Sequence, residues 1–589
     1  MNDPQDIARP NSHGLHKHWP WLSGYNFSIF TDDLLAAIIV TILLVPQSLA
    51  YALLAGLPPQ VGIYASIFPL VAYAFFGSSR HINVGPTAVL SLMTAATIAT
   101  VPEGQRLISA AALAVITGGV LLIAGLLKAG AIMNFVSRPV VSAYITGAAL
   151  LIIFSQLKHI FGIKASGSTV FELWRDLAAN ISAAQPAAYL MGIVSVIVFW
   201  SFRRFLAGGL MRLRVPERLA AIIARATPIV FIAIAILVSA GLDLSGNYDL
   251  AVVGIVPSGL PPLGFPSMAL SEYKLLLVSG IIIAIVAFVD STSTAQELAS
   301  RSRGRIDPNK ELLALGVSNM AAGVSAGYPI NGSMSRSAVN FSAGGRTPLV
   351  GLAVAFFMGL TALFLTPVLK ALPLSVLAAL IIVSCFSLID FKSLFRTWVY
   401  SRADGITALA TLLSVLFFGV QWGVLVGVVL AMALHIRATL QPYMPLVGRF
   451  PGTEHYRDAG RFNVETNEYV KTLRIDESLY YANARYLEDK VARLVADSPE
   501  MTDLILMCTA VNRIDASALA SLEEINKRLS GVDIKLHFSD MQSRVKERLF
   551  RSDFIESLSG KIFLSQHQAM EALEPEPDWD EYSDHIDIH

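Results

Sequence analysis

Asp290 closes the apolar run 281–289. A carboxylate at that depth in a lipid-spanning helix is expensive and reads as functional by default. Thr294 lies four residues on, so the two side chains share a helix face. A carboxylate and a hydroxyl beside freed backbone carbonyls suit Na⁺, a hard cation that takes oxygen ligands. Alternatively, burial penalises the charged form and Asp290 carries a proton. A third reading is a structural carboxylate paired with an arginine. Arg336, one turn into another apolar segment, offers a planar fork to an oxyanion, or an ion pair to Asp290. Gln47 and Tyr51 follow Pro46, four residues apart on one face. An amide and a phenol there can hydrogen-bond an oxyanion from the side, or simply pack between helices.

The backbone around these residues is also informative. Gly85-Pro86-Thr87 and Asn331-Gly332-Ser333 each precede a short apolar segment. A helix that starts inside a membrane leaves its first N–H groups unpaired, with a partial positive charge. An anion satisfies them directly. Two such starts, at Thr87 and Ala88 and at Ser333 and Met334, meeting from opposite halves would cradle a small anion. Each alone reads as an ordinary broken helix packed in protein. An anion beside Asp290 is frustrated until the carboxylate gains H⁺ or Na⁺, and that frustration is a physical basis for symport.

These residues need a membrane scaffold. Of the 589 residues, 54% are hydrophobic and 15% charged, with 44 basic and 44 acidic residues cancelling. Soluble proteins carry about 25% charged residues. With a mean hydropathy of +0.58, this excludes a soluble globular enzyme, a disordered scaffold and a nucleic-acid binder with a basic footprint. Cys385 and Cys508 alone make neither a disulfide framework nor a four-cysteine metal site. About 14 membrane segments are predicted, at 32–55, 61–76, 86–100, 107–127, 131–160, 187–205, 220–241, 273–299, 309–325, 333–343, 348–368, 374–389, 405–419 and 421–439. The third and tenth are short and interrupted, third in each half of seven, which points to a transporter site near the midplane. Loops after even segments hold most of the basic residues, among them Arg203, Arg204, Arg212, Arg214, Arg218, Arg301, Arg303 and Arg305. That asymmetry places the N-terminus inside and favours an even count. The polar lead-in to about residue 30, with Trp19 and Trp21, lacks the features of a signal peptide.

After Pro442 charge becomes frequent and apolar runs shorten. Strands are predicted at 470–475, 504–507 and 534–538, and helices at 483–495 and 517–529, which together make a small α/β domain. Ser517, after Asp515, reads first as part of a helix cap and second as a phosphorylation or docking site. The acidic tail is expected to be solvated. The divisions are 1–30 (N-terminal segment), 31–440 (transport domain), 441–461 (linker), 462–573 (α/β domain) and 574–589 (tail).

Several stretches carry a family resemblance. Val45-Pro46-Gln47-Ser48-Leu49-Ala50-Tyr51-Ala52, Gly56-Leu57-Pro58-Pro59-Gln60-Val61-Gly62-Ile63-Tyr64, Ser79-Arg80-His81 with Gly85-Pro86-Thr87-Ala88, Arg305-Ile306-Asp307-Pro308-Asn309-Lys310-Glu311-Leu312 and Ser335-Arg336-Ser337-Ala338-Val339-Asn340 resemble motifs of the SulP family. These anion transporters include sulfate permeases and are related to prestin and to a cyanobacterial bicarbonate transporter. The C-terminal part resembles a STAS domain. The resemblance implies an α-helical polytopic protein with the uracil-transporter fold: two inverted seven-helix repeats divided into core and gate domains, commonly dimeric, working as an elevator. It places Gln47, Tyr51, Thr87, Ala88, Ser333, Ser335 and Arg336 at the anion. It assigns Asp290, Thr294, Gly332 and Met334 to the coupling ion. Asp290 stands where many relatives have a proton-coupling glutamate, and with Thr294 it is similar to the sodium site of the bicarbonate transporter. Met334 replaces a threonine ligand there. Asp515-Ala516-Ser517-Ala518 departs from the family's Asp-Ser-Ser-Gly.

The expected function is secondary active transport of an inorganic oxyanion, sulfate before bicarbonate, coupled to H⁺ or Na⁺. The alternatives are a Na⁺-dependent bicarbonate symporter, or an anion-sensing scaffold or channel. Expected partners are the anion, the bilayer, a second copy and a cytoplasmic protein at the STAS domain, with no nucleic acid. No cofactor is expected beyond Na⁺ as coupling ion. The expected location is the inner (plasma) membrane, with both termini cytoplasmic.

Overall fold

The computed structural model describes residues 25–574 except 100, 132–136, 166, 168, 215 and 303. The predicted lead-in to residue 24, Arg303, the side chain of Arg218 and the tail from 575 lie outside the described residues. The chain forms two compact units, Met1–Ala431 and Met432–His589.

The first unit is helical. Helix α1 (Phe27–Leu54) starts on Asn26, whose side chain accepts the Ile29 N–H at 2.9 Å. Its 28 residues make a rod about 42 Å long, more than a hydrocarbon core requires. Eight helical stretches among the described residues are long and apolar enough to cross a membrane. Helices at Gln60–Phe76, Ala88–Ile98, Glu217–Gly241, Pro308–Val324, Met334–Ala343 and Arg402–Phe418 cover the other predicted positions. The second predicted segment is broken into Gln60–Tyr64 and Phe68–Phe76. At Gly62 a Cβ would stand 1.8 Å from the Ser48 carbonyl oxygen of α1, so only glycine permits that approach.

Two helices of ten residues or more, Val170–Asn180 and Phe391–Tyr400, lie outside the predicted segments, as do the short Ala207–Arg212 and Leu244–Tyr248. The apolar residues of the longer two lie along one face beside charged ones, so they do not form the continuous runs that mark a span. Besides α1, four helices matter for the site: α2 (Ala88–Ile98), α3 (Leu270–Arg301), α4 (Pro308–Val324) and α5 (Met334–Ala343). Two strands of two residues each, β1 (Val84–Gly85) and β2 (Asn331–Gly332), precede α2 and α5.

The second unit holds a five-stranded sheet in the order β4-β3-β5-β6-β7. Its strands are β3 (Leu446–Arg449), β4 (Tyr456–Asp458), β5 (Val470–Arg474), β6 (Asp503–Met507) and β7 (Lys535–Ser539). The last three are parallel, with Val470 opposite Asp503 and Asp503 opposite Lys535. Helices Ala484–Asp497 and Ala516–Ser530 make the crossovers that parallel strands require. Leu487, Leu504, Leu522, Leu536 and Phe538 form the core. The stretch 441–461, expected as linker, instead carries β3 and β4. At four and three residues, they are too short to show alternation.

On β7, His537 is buried. Its Nε2 lies 2.9 Å from Asp503 Oδ1, and its Nδ1 accepts the Lys561 N–H at 3.0 Å. An accepting Nδ1 requires the neutral ring. Burial holds its pKa below the ordinary value, with Asp503 opposing. The unfolded chain therefore binds the proton first. The His537 contribution to stability is complete above about pH 6.5 and is lost as pH falls through the lower folded value. Hydrogen exchange on the full-length protein should show β7 protection falling from pH 7 to pH 5, and His537→Asn should flatten that dependence.

Candidate functional site

The site begins with a two-residue antiparallel ladder. Val84 pairs with Gly332 and Gly85 with Asn331. The Ser333 N–H extends it to the Asn83 carbonyl at 3.0 Å, and the Asn83 N–H reaches Ser337 Oγ at 2.9 Å. The Gly332 N–H donates to Ser291 Oγ on α3 at 2.8 Å. The backbone of both broken segments is thus paired within protein, as a membrane interior demands. Because the ladder is antiparallel, α2 and α5 leave it in opposite directions.

Thr87 and Ser333 sit at the N-cap positions of α2 and α5, yet neither side chain caps its helix. The Thr87 hydroxyl donates instead to Asn331 Oδ1 at 2.5 Å, and Asn331 Nδ2 donates to Asp290 Oδ2 at 2.5 Å. The hydroxyls of Ser333 and Ser335 lie 3.2 Å apart, with Ser335 exposed. The first N–H groups at Ala88 and Met334 therefore receive no side-chain cap.

Arg336 is wholly buried. Its Nε donates to Asn83 Oδ1 at 3.0 Å, and its Nη1 to the Pro86 carbonyl at 2.9 Å and to Gln47 Oε1 at 3.4 Å. All these partners are neutral. Nη2 is buried without a partner. Tyr51, one turn beyond Gln47 on α1, is buried, as is Tyr328, whose hydroxyl lies 3.1 Å from Ser91 Oγ on α2. Gly85 makes room for this arrangement. Its φ is +152° and a Cβ there would sit 3.3 Å from Arg336 Nη2.

The ladder thus gathers Gln47, Tyr51, Thr87, Ala88, Ser333, Ser335 and Arg336 around one place. Gly332 stands in the ladder itself, and Met334, half-buried, opens α5. Asp290 joins through Asn331, with Thr294 buried one turn on. The ion pair considered between Asp290 and Arg336 does not form, because the two bond to different neutral groups. Asp290 and Thr294 offer oxygen to a cation; Met334, a thioether, is a poor ligand for a hard one. Ser517 lies in the other unit, exposed. There Asp515 caps the helix, accepting the Ala518 N–H at 2.9 Å.

Several residues here escaped the sequence reading. Asn83 and Ser291 are small polar residues in apolar stretches, marked out only by their partners, while Asn331 reads in the sequence only as part of a helix break and shows its bonds to Thr87 and Asp290 in the structure. Two buried carboxylates also hold the loops around the broken helices. Glu311 on α4 accepts from Tyr73 Oη (2.7 Å), Ser78 Oγ (2.6 Å) and the Ser78 and Ser79 N–H groups (3.0 and 3.2 Å), fixing the turn before β1. Asp33 on α1 accepts from the Arg346 N–H (2.7 Å) and Thr347 Oγ1 (2.6 Å), fixing the turn after α5. Their sequence signal was an acidic residue beside apolar ones.

A multi-pass helical scaffold with two interrupted helices around a buried cation defines a membrane transport protein. The chain belongs to the sulfate permease family, whose model matches residues 30–411, and it carries a STAS domain over residues 461–569. It is 32% identical over 569 residues to sulfate transporter 4.1, chloroplastic, of Arabidopsis thaliana, covering 94% of this chain and 81% of that one. It is 30% identical over 564 residues to a probable sulfate transporter of Mycobacterium tuberculosis, covering 94% and 95%. Among solved structures, murine Slc26a9, an anion transporter in the inward-facing state, shares the fold with TM-score 0.84 at 23% identity, covering 96% of each chain. The transmembrane domain of the cyanobacterial bicarbonate transporter BicA matches with TM-score 0.57 at 21% identity, covering 69% of this chain and 98% of that one.

Gly85→Ala should weaken anion binding about tenfold, since strain and crowding at Nη2 are together worth roughly 1–3 kcal/mol. Isothermal titration of the purified protein would measure this. Gly104→Ala, where a Cβ meets nothing within 4 Å, should leave binding unchanged.

Proposed function

We propose that the protein is a secondary active transporter of an inorganic oxyanion, with sulfate as the preferred substrate. One observation carries this reading: the buried guanidinium of Arg336 keeps Nη2 unpartnered beside two uncapped helix starts. A buried charge with neutral partners is costly unless a counter-ion visits. An oxyanion would take Nη2, the N–H groups at Ala88 and Met334, and hydroxyls from Ser333, Ser335 and Tyr51. The Thr87 hydroxyl is committed to Asn331, so that residue would contribute backbone rather than side chain. The names of the sulfate-transporting relatives support sulfate over bicarbonate.

Asp290 would carry the coupling ion, either H⁺ on its carboxylate or Na⁺ shared with Thr294. Its link to the anion site runs through Asn331. Filling either site would lower the cost of filling the other, and linkage makes the effect reciprocal. In this reading the membrane unit comprises about 14 crossings in two inverted repeats, and the core carrying the site moves against the gate as an elevator. The protein works as a homodimer in the plasma membrane, with both termini cytoplasmic and the STAS domain open to a cytoplasmic partner.

The test is uptake of labelled sulfate and bicarbonate into proteoliposomes under a Na⁺ or a pH gradient. Sulfate should accumulate under one gradient. Asp290→Asn should abolish gradient-driven accumulation, reducing it at least about tenfold, well within the roughly 5–150-fold range of common coupling energies, while sulfate exchange persists. Binding of sulfate with no flux under either gradient would favour a sensor instead.

A further inference from the structure

The segment after Pro186–Ser201 is strongly basic, and the anion site uses none of it. Pro186–Ser201 turns an apolar face outward, with Leu190, Ile193, Ile197 and Trp200 all exposed. The helix does not stop at Ser201. It widens into a π-helical turn, Phe202–Leu206, and resumes as Ala207–Arg212. Such turns gather at functional positions because they open the regular ladder. Arg203 Nη1 donates to the Val383 carbonyl at 2.9 Å and so fastens the turn to a neighbouring helix.

A groove of about 370 Å³ lies along this turn, lined by Phe202, Phe205, Leu206, Gly209, Leu210 and Leu213. Its wall is almost wholly apolar. Arg203, Arg204, Arg212 and Arg214 flank it in sequence and are exposed, and residues 201–216 contain no carboxylate. The Trp200 and Phe205 rings meet edge to face at 5.7 Å, at the junction of the apolar face and the basic loop. A tryptophan at such a junction marks headgroup depth.

We propose that this groove holds one acyl chain of an anionic phospholipid, whose phosphate is bound by Arg204, Arg212 and Arg214. The groove continues the outward apolar face of the helix, so a lipid tail reaches it without leaving hydrocarbon. A soluble anion would leave the apolar wall wet. A zwitterionic lipid would leave the arginines without net compensation. Clusters of arginine beside a membrane helix favour anionic headgroups for this reason.

Native mass spectrometry of the full-length protein, given equal phosphatidylglycerol and phosphatidylcholine, tests the proposal. Wild type should retain phosphatidylglycerol about tenfold more, given the attraction of several arginines to an anionic headgroup. Gly209 lines the groove and a Cβ there meets nothing within 4 Å, so Gly209→Leu should fill the groove and lose the bound lipid. Replacing Arg204, Arg212 and Arg214 by Gln should abolish the preference while leaving some lipid of either kind. Equal retention of both lipids by wild type would overturn the proposal. So would phosphatidylglycerol retention unchanged in both variants, or its displacement by glycerol phosphate alone. Melting curves confirm that each variant is folded. If one is not, the other and the wild-type preference still decide.

Discussion

Everything in the membrane unit depends on how it pairs backbone groups where no water can. Two helices, α2 and α5, start inside the unit after short strands, and each start exposes amides and carbonyls that would be ruinous against hydrocarbon. The ladder between β1 and β2 lets each break satisfy the other. Asn83, Ser291 and Ser337 complete the pairing. At the starts of α2 and α5 no side chain caps the first N–H groups, and a helix N-terminus of that kind favours an anion. The ladder needs four residues and no large side chain, which explains the glycines at positions 85 and 332.

The charges follow a second rule. Arg336 and Asp290 have opposite signs and lie around the same ladder, yet they do not pair. Arg336 is held by an amide, a carbonyl and another amide. Asp290 is held by Asn331, which in turn accepts from Thr87. Had the two charges met, each would have satisfied the other and neither would need a ligand. With neutral amides as their partners, neither charge is held by an opposite one among the described residues. An ionised carboxylate only accepts, so the amide nitrogen of Asn331 must face it and the oxygen must face Thr87.

Much of this was legible in the sequence. Helix positions followed from the length of apolar runs, because hydrocarbon thickness allows little variation. Asp290 and Arg336 stood out because charge is rare in such runs. The two breaks were visible as Gly-Pro and Asn-Gly pairs. The parallel strands of the second unit were apparent from short apolar runs separated by helical spacing. Other features were not legible. β3 and β4 are too short for any period. Val170–Asn180 and Phe391–Tyr400 are amphipathic and mimic loops. The partners of Asn83, Asn331, Glu311 and Asp33 lie tens to hundreds of residues away, and one sequence carries no record of such distances.

The grip of α1 on α5 has a mechanical consequence. Near its start α1 holds, through Asp33, the turn that follows α5; a few turns on, through Gln47, it meets Arg336 in the first turn of α5. The two rods run in opposite senses and are lashed together at both ends. A rod tied twice can neither slide along its neighbour nor pivot about one knot. Were one rod to shift, the other would go with it as freight, and the slip would fall on some other seam between helices.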